Sequence, residues 1–476
     1  MTDFLSRLKQ YLPAAAICTD PDRMAPRLLD QRGRLHGAAR ALVLPGSVEE
    51  AERVIRLCNE YRVPIVPQAG NTGLVGGATP AADGRAILLG CDRLNRVRQM
   101  GAADFSMVAE AGCTLESLQR AAAAEGRLFP LWLASAGSAR LGGLIGSNAG
   151  GTQVLRYGNT RELVLGIEAV LADGRRYNGL HSLRKRNIGY DLKQLLIGSE
   201  GTLGFVTAAS LRLWPQPKGQ ACALVAVASI AAALTLFQQA QDMAGEVLTA
   251  FEIINAAAMQ LVADQHAELA RPFATTPAWT VLIELSGGES DAVLSERLCA
   301  LLSAANTPDA LVAQDLTQRQ HFWGLRERIP SAQKRAGSSI KHDLSLPIAA
   351  IPEFVQQAAA LLAAHMPLFE PVIFGHVGDG NLHFNLQYLG ETGAARKLPV
   401  PAFDAAEQVA NELLYPLVLA CGGDLSAEHG IGRLRLSAAA RYHDAGERAL
   451  MATLKQAFDP LGLFNPGALL SGQGNL

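Results

Sequence analysis

The sequence predicts an α+β protein of two principal parts, and three observations carry that prediction. Between residues 38 and 217, apolar runs of strand length alternate with helical periodicity, and the connections are dense in glycine. The segment Trp214-Pro-Gln-Pro217 then breaks the pattern, as a chain crossing between domains commonly does. Beyond it, strand-like runs at 221–228 and 279–285 and a hairpin signal at Asp379-Gly380 are separated by Ala-rich helical stretches, which predicts an antiparallel sheet in the second part. The expected organisation is a lead-in over 1–37, a first domain over 38–217, a second over 218–425, and a C-terminal segment, 426–476, that packs back on the first domain.

The elements follow in order. Residues 1–12 read as a short amphipathic helix with no secretory signal. Ala41-Leu-Val-Leu44 is a short strand, and 48–61 a helix with Ser47 placed to cap it. The strand 63–67 runs into Gln68-Ala-Gly-Asn-Thr-Gly-Leu-Val-Gly-Gly77, a glycine-rich turn. Further strands are expected at 86–89, 106–109 and 163–171, the last closing at Ala172-Asp-Gly174. Two more glycine loops occupy 135–151 and 198–204.

Composition narrows the function. Hydrophobic residues make up 49% and charged residues 18%, the balance of a packed globular chain. The formal net charge is −2 with no basic stripe, so nucleic acid is not an expected partner. Seven cysteines are scattered without a CxxC pair, which argues against a cysteine-ligated cluster and suits a reducing cytoplasm, with peripheral attachment at an inner membrane as the alternative. The longest apolar run, 223–237, is interrupted by Ser229 and falls short of the ~18 residues a spanning helix needs.

Chemistry concentrates in Phe374-Gly-His-Val-Gly-Asp-Gly-Asn-Leu-His-Phe-Asn385. A two-residue turn at Asp379-Gly380 would set His376 directly opposite His383, with Phe374 and Asn385 on the same face. Farther on, Glu428-His429 adds a carboxylate and a third imidazole within Ala427-Glu-His-Gly-Ile-Gly432. Two imidazoles and a carboxylate leave coordination positions open, as catalytic metal sites do. The glycine loop at Gly70-Asn71-Thr72-Gly73 can turn successive N–H groups into one concavity that suits phosphate. Three such loops in one domain suggest an extended cofactor, while the absence of G-x-G-x-x-G and of G-x-x-x-x-G-K-[ST] disfavours NAD and a P-loop nucleotide.

Pro67-Gln-Ala-Gly-Asn-Thr-Gly73, Ser147-Asn-Ala-Gly-Gly151, Gly198-Ser-Glu-Gly-Thr-Leu-Gly204, His376-Val-Gly-Asp-Gly-Asn-Leu-His383, Glu428-His-Gly-Ile-Gly432 and Asn465-Pro-Gly467 occur in this order. Together, over residues 30–470, they resemble the FAD-dependent D-2-hydroxyacid dehydrogenases of the vanillyl-alcohol-oxidase superfamily. The resemblance implies non-covalent FAD in the two-part FAD-binding domain, contacted by Pro67, Gly70, Asn71, Thr72, Gly73, Gly137, Ser138, Gly142, Gly143, Ser147, Asn148, Gly151, Glu200, Gly204, Val206 and Asn465. It implies a divalent metal on His376, His383 and Glu428, His429 as the acid/base, Arg326 and Lys341 as carboxylate binders, and Asn385 beside the substrate. Zinc is the first choice because it is redox-silent, with manganese, cobalt and iron as alternatives.

The implied reaction oxidises a D-2-hydroxy acid, D-2-hydroxyglutarate first, to the 2-oxo acid. Electrons then leave to an electron-transferring flavoprotein, a quinone or a cytochrome, and a homodimer is the oligomer considered. D-lactate is the alternative substrate, because Pro330 stands where the hydroxyglutarate enzymes carry a hydroxyl residue; Ser331 and Ser338 are the nearby hydroxyls that could substitute for it. Trp132 is a second departure, at a position where close relatives are acidic. A flavin subunit of a larger electron-transfer complex and a flavin-free metal hydrolase are the competing classes.

Overall fold

The computed structural model describes residues 4–471 apart from 270, 306, 308, 392 and 394. It contains two compact units, one built from 1–151, 158–216 and 428–476, the other from 152–157 and 217–427.

In the first unit the helix Val48–Tyr61 forms because Ala51, Val54, Ile55 and Cys58 recur along one face, and all four are buried. Ser47 caps it, its Oγ accepting the Glu50 N–H at 3.2 Å. That face shares a core with Ile65, Ile87 and Leu89 of a four-stranded sheet ordered Ile17–Cys18, Leu42–Val43, Ile87–Gly90, Ile65–Gln68. Phe4 and Leu8 of the short helix Phe4–Leu8 close the same core. The C-terminal chain joins its edge: Ile65 N–H donates to Leu463 O at 2.8 Å, and Asn465 N–H donates to Ile65 O at 2.7 Å. The fully buried Phe464 between them enters the core.

A five-stranded antiparallel sheet completes this unit, ordered Val97–Gly101, Ser106–Glu110, Phe205–Arg212, Val164–Val170, Arg176–Asn178. Its central strand, Phe205–Arg212, was not expected, since it emerges directly from the 198–204 glycine loop. The 135–151 segment also differs from an open loop, because Leu141–Ser147 is a helix. Leu141, Leu144 and Ile145 are buried on one side of it, and that burial outweighs the poor helix propensity of Gly142, Gly143 and Gly146.

The second unit is built on a seven-stranded antiparallel sheet ordered Ala310–Val312, Gly219–Val227, Trp279–Gly287, Leu248–Asn255, Phe369–Gly375, Asn381–Tyr388, Ser339–Ser345. On one face Cys222, Ile254, Leu282, Val372 and Phe374 pack with Met259, Phe322, Leu325, Ile329 and Ala332, which come from helices between the strands. Among the described residues, no helix is long and apolar enough to cross a membrane.

The hairpin between Phe369–Gly375 and Asn381–Tyr388 differs from the expected two-residue turn. Phe374, not His376, stands opposite His383, and residues 376–380 form the connection. Val377–Asp379 close a 3₁₀ turn, and Gly380 takes φ +83°, so the turn consumes five residues and the register moves by two.

Candidate active site

On the second unit's sheet, Phe374, His383 and Asp343 lie side by side on three neighbouring strands, and Val372, Asn385 and Lys341 form the next row of the same face. The sheet therefore brings His383, Asn385 and Lys341 together. Asn385 Nδ2 donates to Gln333 Oε1 at 2.9 Å, which fixes the amide against the helix Ile329–Ala336. Asp343 Oδ1 stands 3.8 Å from His383 Nδ1 and accepts Asn381 Nδ2 at 2.8 Å. Asp343 lies in the same Ile340–Pro347 segment as Lys341, and the register sets it against His383.

His376 sits at the start of the connection, its ring centroid 5.6 Å from that of His383. Its Nδ1 pairs with Glu252, and its Nε2 lies 3.4 Å from a terminal nitrogen of Arg326. Glu252, a buried residue of the strand Leu248–Asn255, was not singled out in the sequence, where it is one acid within an apolar run. Arg326 comes from the helix Leu316–Glu327, packs over the Phe374 ring at 4.8 Å and donates from Nε to Glu252 Oε2 at 2.6 Å. Burial opposes ionisation of Glu252, but His376 and Arg326 outweigh it and hold the carboxyl at about 2. Burial pushes Asp379 up to about 6, with His376 pulling the other way.

Of the two hydroxyls that could substitute at Pro330, that of Ser331 donates elsewhere and that of Ser338 accepts a backbone amide. Ser331 Oγ donates to Arg328 O at 2.8 Å and meets His266 Nε2 at 2.9 Å, while Ser338 Oγ accepts the Leu398 N–H at 2.9 Å.

Beside Asp343, the chain 424–427 runs along the strand Ser339–Ser345. Ser345 and Asp424 exchange backbone hydrogen bonds, and Ala427 N–H donates to Asp343 O at 3.2 Å. Glu428 and His429 follow at once, with Glu428 Oε1 3.5 Å from His429 Nε2. Within the second unit Asp343 and His383 are the metal-ligating side chains that the sheet sets side by side, and within the first Glu428 and His429 are a second such pair. Imidazole and carboxylate donors of this kind are ones that zinc and other borderline divalent cations accept.

In the first unit the three glycine loops converge. Gly70 approaches the 137–138 turn so closely that a Cβ there would lie 2.1 Å from Ser138 O. Asn71 adopts φ +53°, a left-handed conformation that turns neighbouring N–H groups toward one side, and its Nδ2 donates to Leu29 O at 2.9 Å. The loop's positive φ thus falls on Asn71 and not on Gly70 or Gly73, and Thr72 lies half-buried beside it. Gly198 and Glu200 donate their N–H groups to Ile145 O at 2.9 Å and Gly146 O at 2.8 Å, joining the 198–204 loop to the helix that carries Gly142, Gly143 and Ser147. Ser147 Oγ donates back to Gly143 O, Asn148 Oδ1 accepts the Arg161 N–H, and Gly151 abuts the Trp132 backbone. Pro67 lies against Gly201, Gly204 against Val170 O, and Val206 on the central strand. A glycine cradle with this close backbone approach fits the pyrophosphate of a dinucleotide.

Glu200 is placed differently from a simple cofactor contact. Its Oε1 accepts the Ile431 N–H at 2.8 Å and its Oε2 the Gly432 N–H at 2.7 Å. Burial pushes its carboxyl pKa up, while the two amides and Arg435 pull it back. Asn465 Nδ2 donates to both Glu200 O at 2.8 Å and Gly77 O at 2.7 Å.

Comparison with known proteins agrees with this arrangement. Residues 39–178 match the FAD binding domain family, and residues 216–469 match the family described as FAD linked oxidases, C-terminal domain. A mitochondrial D-2-hydroxyglutarate dehydrogenase of Danio rerio is 36% identical over 465 residues, covering 97% of this chain and 84% of that protein. A D-2-hydroxyglutarate dehydrogenase of Xanthomonas citri is 37% identical over 466 residues, covering 97% and 96%. The crystal structure of p-cresol methylhydroxylase with substrate bound shares the fold, at a TM-score of 0.76 and 15% identity, over 99% of this chain and 97% of that one. Since the oxidase match alone covers more than half of the chain, and these relatives nearly all of it, the chain belongs to the FAD-linked oxidases, a family of FAD-dependent oxidoreductases.

Proposed function

We propose that this enzyme oxidises a D-2-hydroxy acid, with D-2-hydroxyglutarate as the first candidate, to the 2-oxo acid. The observation that carries the reading is the grouping of His383 and Asn385 on one face of the second unit's sheet with His376 of the adjoining connection and Arg326 of the helix Leu316–Glu327, in a chain whose relatives are named for that acid. When bound, FAD in the 67–73, 137–151 and 198–206 loops would supply the hydride acceptor, and a divalent cation, for which His376, His383 and Glu428 are proposed as ligands, would supply positive charge to the hydroxyl.

The chain's own residues do the rest. Arg326, its Nε committed to Glu252 and one terminal nitrogen 3.4 Å from His376 Nε2, supplies the guanidinium charge for a substrate carboxylate. Lys341 adds a second cation on the row next to His383, as a second carboxylate of a dicarboxylic acid requires. His429 accepts the hydroxyl proton on its imidazole, a role typically worth about 10²–10⁴ in rate. Packing of Phe374 between Arg326 and His383 keeps water from that part of the sheet.

Electrons leave to an external acceptor, for which an electron-transferring flavoprotein, a quinone or a cytochrome is proposed; a cytoplasmic location, with peripheral attachment at the inner membrane as the alternative, is proposed from seven scattered cysteines without a CxxC pair. D-lactate is the second reading. Pro330 supplies no hydroxyl, and Ser331 and Ser338 are engaged with His266 and Leu398. An anaerobic absorbance spectrum before and after D-2-hydroxyglutarate tests the choice. Bleaching of the oxidised flavin band supports the dicarboxylate; an unchanged spectrum that D-lactate then bleaches moves the assignment to the shorter acid.

A further inference from the structure

We propose that Glu200 is a positioning residue for the Glu428-His429 dipeptide, acting through the backbone that follows it. The inference rests on the oxidation proposed above, in which His429 moves the hydroxyl proton. Glu200 grips two successive amides, Ile431 N–H at 2.8 Å and Gly432 N–H at 2.7 Å, one on each carboxylate oxygen. These amides lie two and three residues after His429. Gly430 is fitted to this grip, since it adopts φ +81° and a Cβ there would lie 2.6 Å from Glu200 Oε1. A carboxylate that receives two backbone N–H groups holds both peptide planes in fixed orientation.

Glu200 is itself held by both of its backbone polar groups. Its N–H donates to Gly146 O at 2.8 Å, and its carbonyl accepts Asn465 Nδ2 at 2.8 Å, with φ at +50°. Arg433 ties the same loop down from the far side, with Nε to Thr79 O at 2.6 Å and a terminal nitrogen to Asn465 Oδ1 at 3.0 Å. The sequence Glu428-His-Gly-Ile-Gly432 places two glycines after the histidine, the residues with most backbone freedom to lose. Without the grip, that freedom passes to His429. A displacement of about 1 Å at a reacting group can cost about 10²-fold in rate.

The experiment compares the purified holoenzyme with Glu200→Gln, which keeps the size but sets an NH₂ against one of the two amides. The expected result is full flavin content, an unchanged KM for the acid, and flavin reduction slower by about 10- to 100-fold with a displaced acid limb in its pH profile. Gly430→Ala, which pushes the loop off Glu200 from the other side, should give the same loss and serves if Glu200→Gln does not fold. Reduction at the wild-type rate with an unmoved pH profile overturns the inference. So does a loss of flavin in proportion to the loss of rate, which would make Glu200 a cofactor contact only. If no 2-hydroxy acid reduces the wild-type flavin, the proposed reaction fails instead, and amide exchange at residues 428–432 still reads the grip. Faster exchange in Glu200→Gln then upholds it, and equal exchange overturns it.

Discussion

Arg326 Nε donates to Glu252 Oε2 at 2.6 Å, with 8% and 1% of the two side chains exposed. The second Glu252 oxygen takes His376 Nδ1, so one buried carboxylate orients a guanidinium and an imidazole together. With Nδ1 on a carboxylate, the other ring nitrogen of His376 is fixed in direction, as in carboxylate–histidine pairs around metal ions.

Removing Glu252 is therefore expected to cost more than removing a surface acid. Glu252→Ala leaves a buried guanidinium without its counter-ion, and the loss in denaturant unfolding should be about 3–5 kcal/mol. The paired replacement Glu252→Gln with Arg326→Met should recover most of that stability while acid binding, read from the flavin spectrum, stays weak. If the single substitution unfolds like the wild type, Glu252 is not what balances Arg326.

A glycine of the first loop should differ sharply from one outside the cofactor loops. Gly70→Ala forces a methyl to within 2.1 Å of Ser138 O, so the 70–73 cradle must separate from the 137–138 turn. At Gly288, in the second unit, a Cβ meets nothing within 4 Å. Flavin content per purified chain should fall in Gly70→Ala and hold in Gly288→Ala. Equal content in the two would show that the close approach does not shape the cofactor site.

Glu284 gives a pH dependence whose sign is fixed. Burial raises its pKa above the ordinary 4.5, against the opposing pull of Trp323 Nε1, which donates at 2.8 Å, and of Arg319 and Thr249. A raised folded-state value means that the neutral carboxyl is favoured by folding. Its contribution is full below 4.5 and is lost as pH rises through the folded value. Glu284→Gln keeps an acceptor for Trp323 without the charge, so its melting temperature should exceed that of the wild type by more at pH 8 than at pH 5. A difference that does not change with pH would mean that Glu284 stays ionised across the range.

Local signals were legible in the sequence wherever one residue type does one job. Ser47 capping Val48–Tyr61 and the strand runs 106–109 and 221–228 follow from side-chain chemistry and periodicity alone. Non-local geometry was not. The hairpin register depended on how many residues the turn consumes, and the 3₁₀ turn Val377–Asp379 took more than the Asp379-Gly380 signal suggests. Leu141–Ser147 was hidden by its glycines, because its helical state depends on burial of Leu141, Leu144 and Ile145. Glu252 is a single acid in an apolar strand and Asp343 a single acid in a polar one, and their pairings show only once their strands lie beside His376 and His383. Glu200 was placed among the cofactor contacts, and its grip on Ile431 and Gly432 spans more than two hundred residues of chain that no spacing rule connects.

His383 separates the metal reading from the flavin reading. It stands between Phe374 and Asp343 on the second unit's sheet, whereas the glycine loops that fit FAD all belong to the first. His383→Ala should therefore keep the oxidised flavin spectrum and lower substrate-driven reduction by about 10²-fold or more, the scale of a lost general base or of a misplaced reacting group. Zinc bound after dialysis, measured by elemental analysis per chain, should fall in the same variant, and in Asp343→Asn if that carboxylate is a ligand. Reduction at the wild-type rate in His383→Ala would remove the metal from the mechanism. A variant that binds zinc normally but reduces slowly would instead leave His383 as a substrate contact, with the ion held by the other proposed ligands.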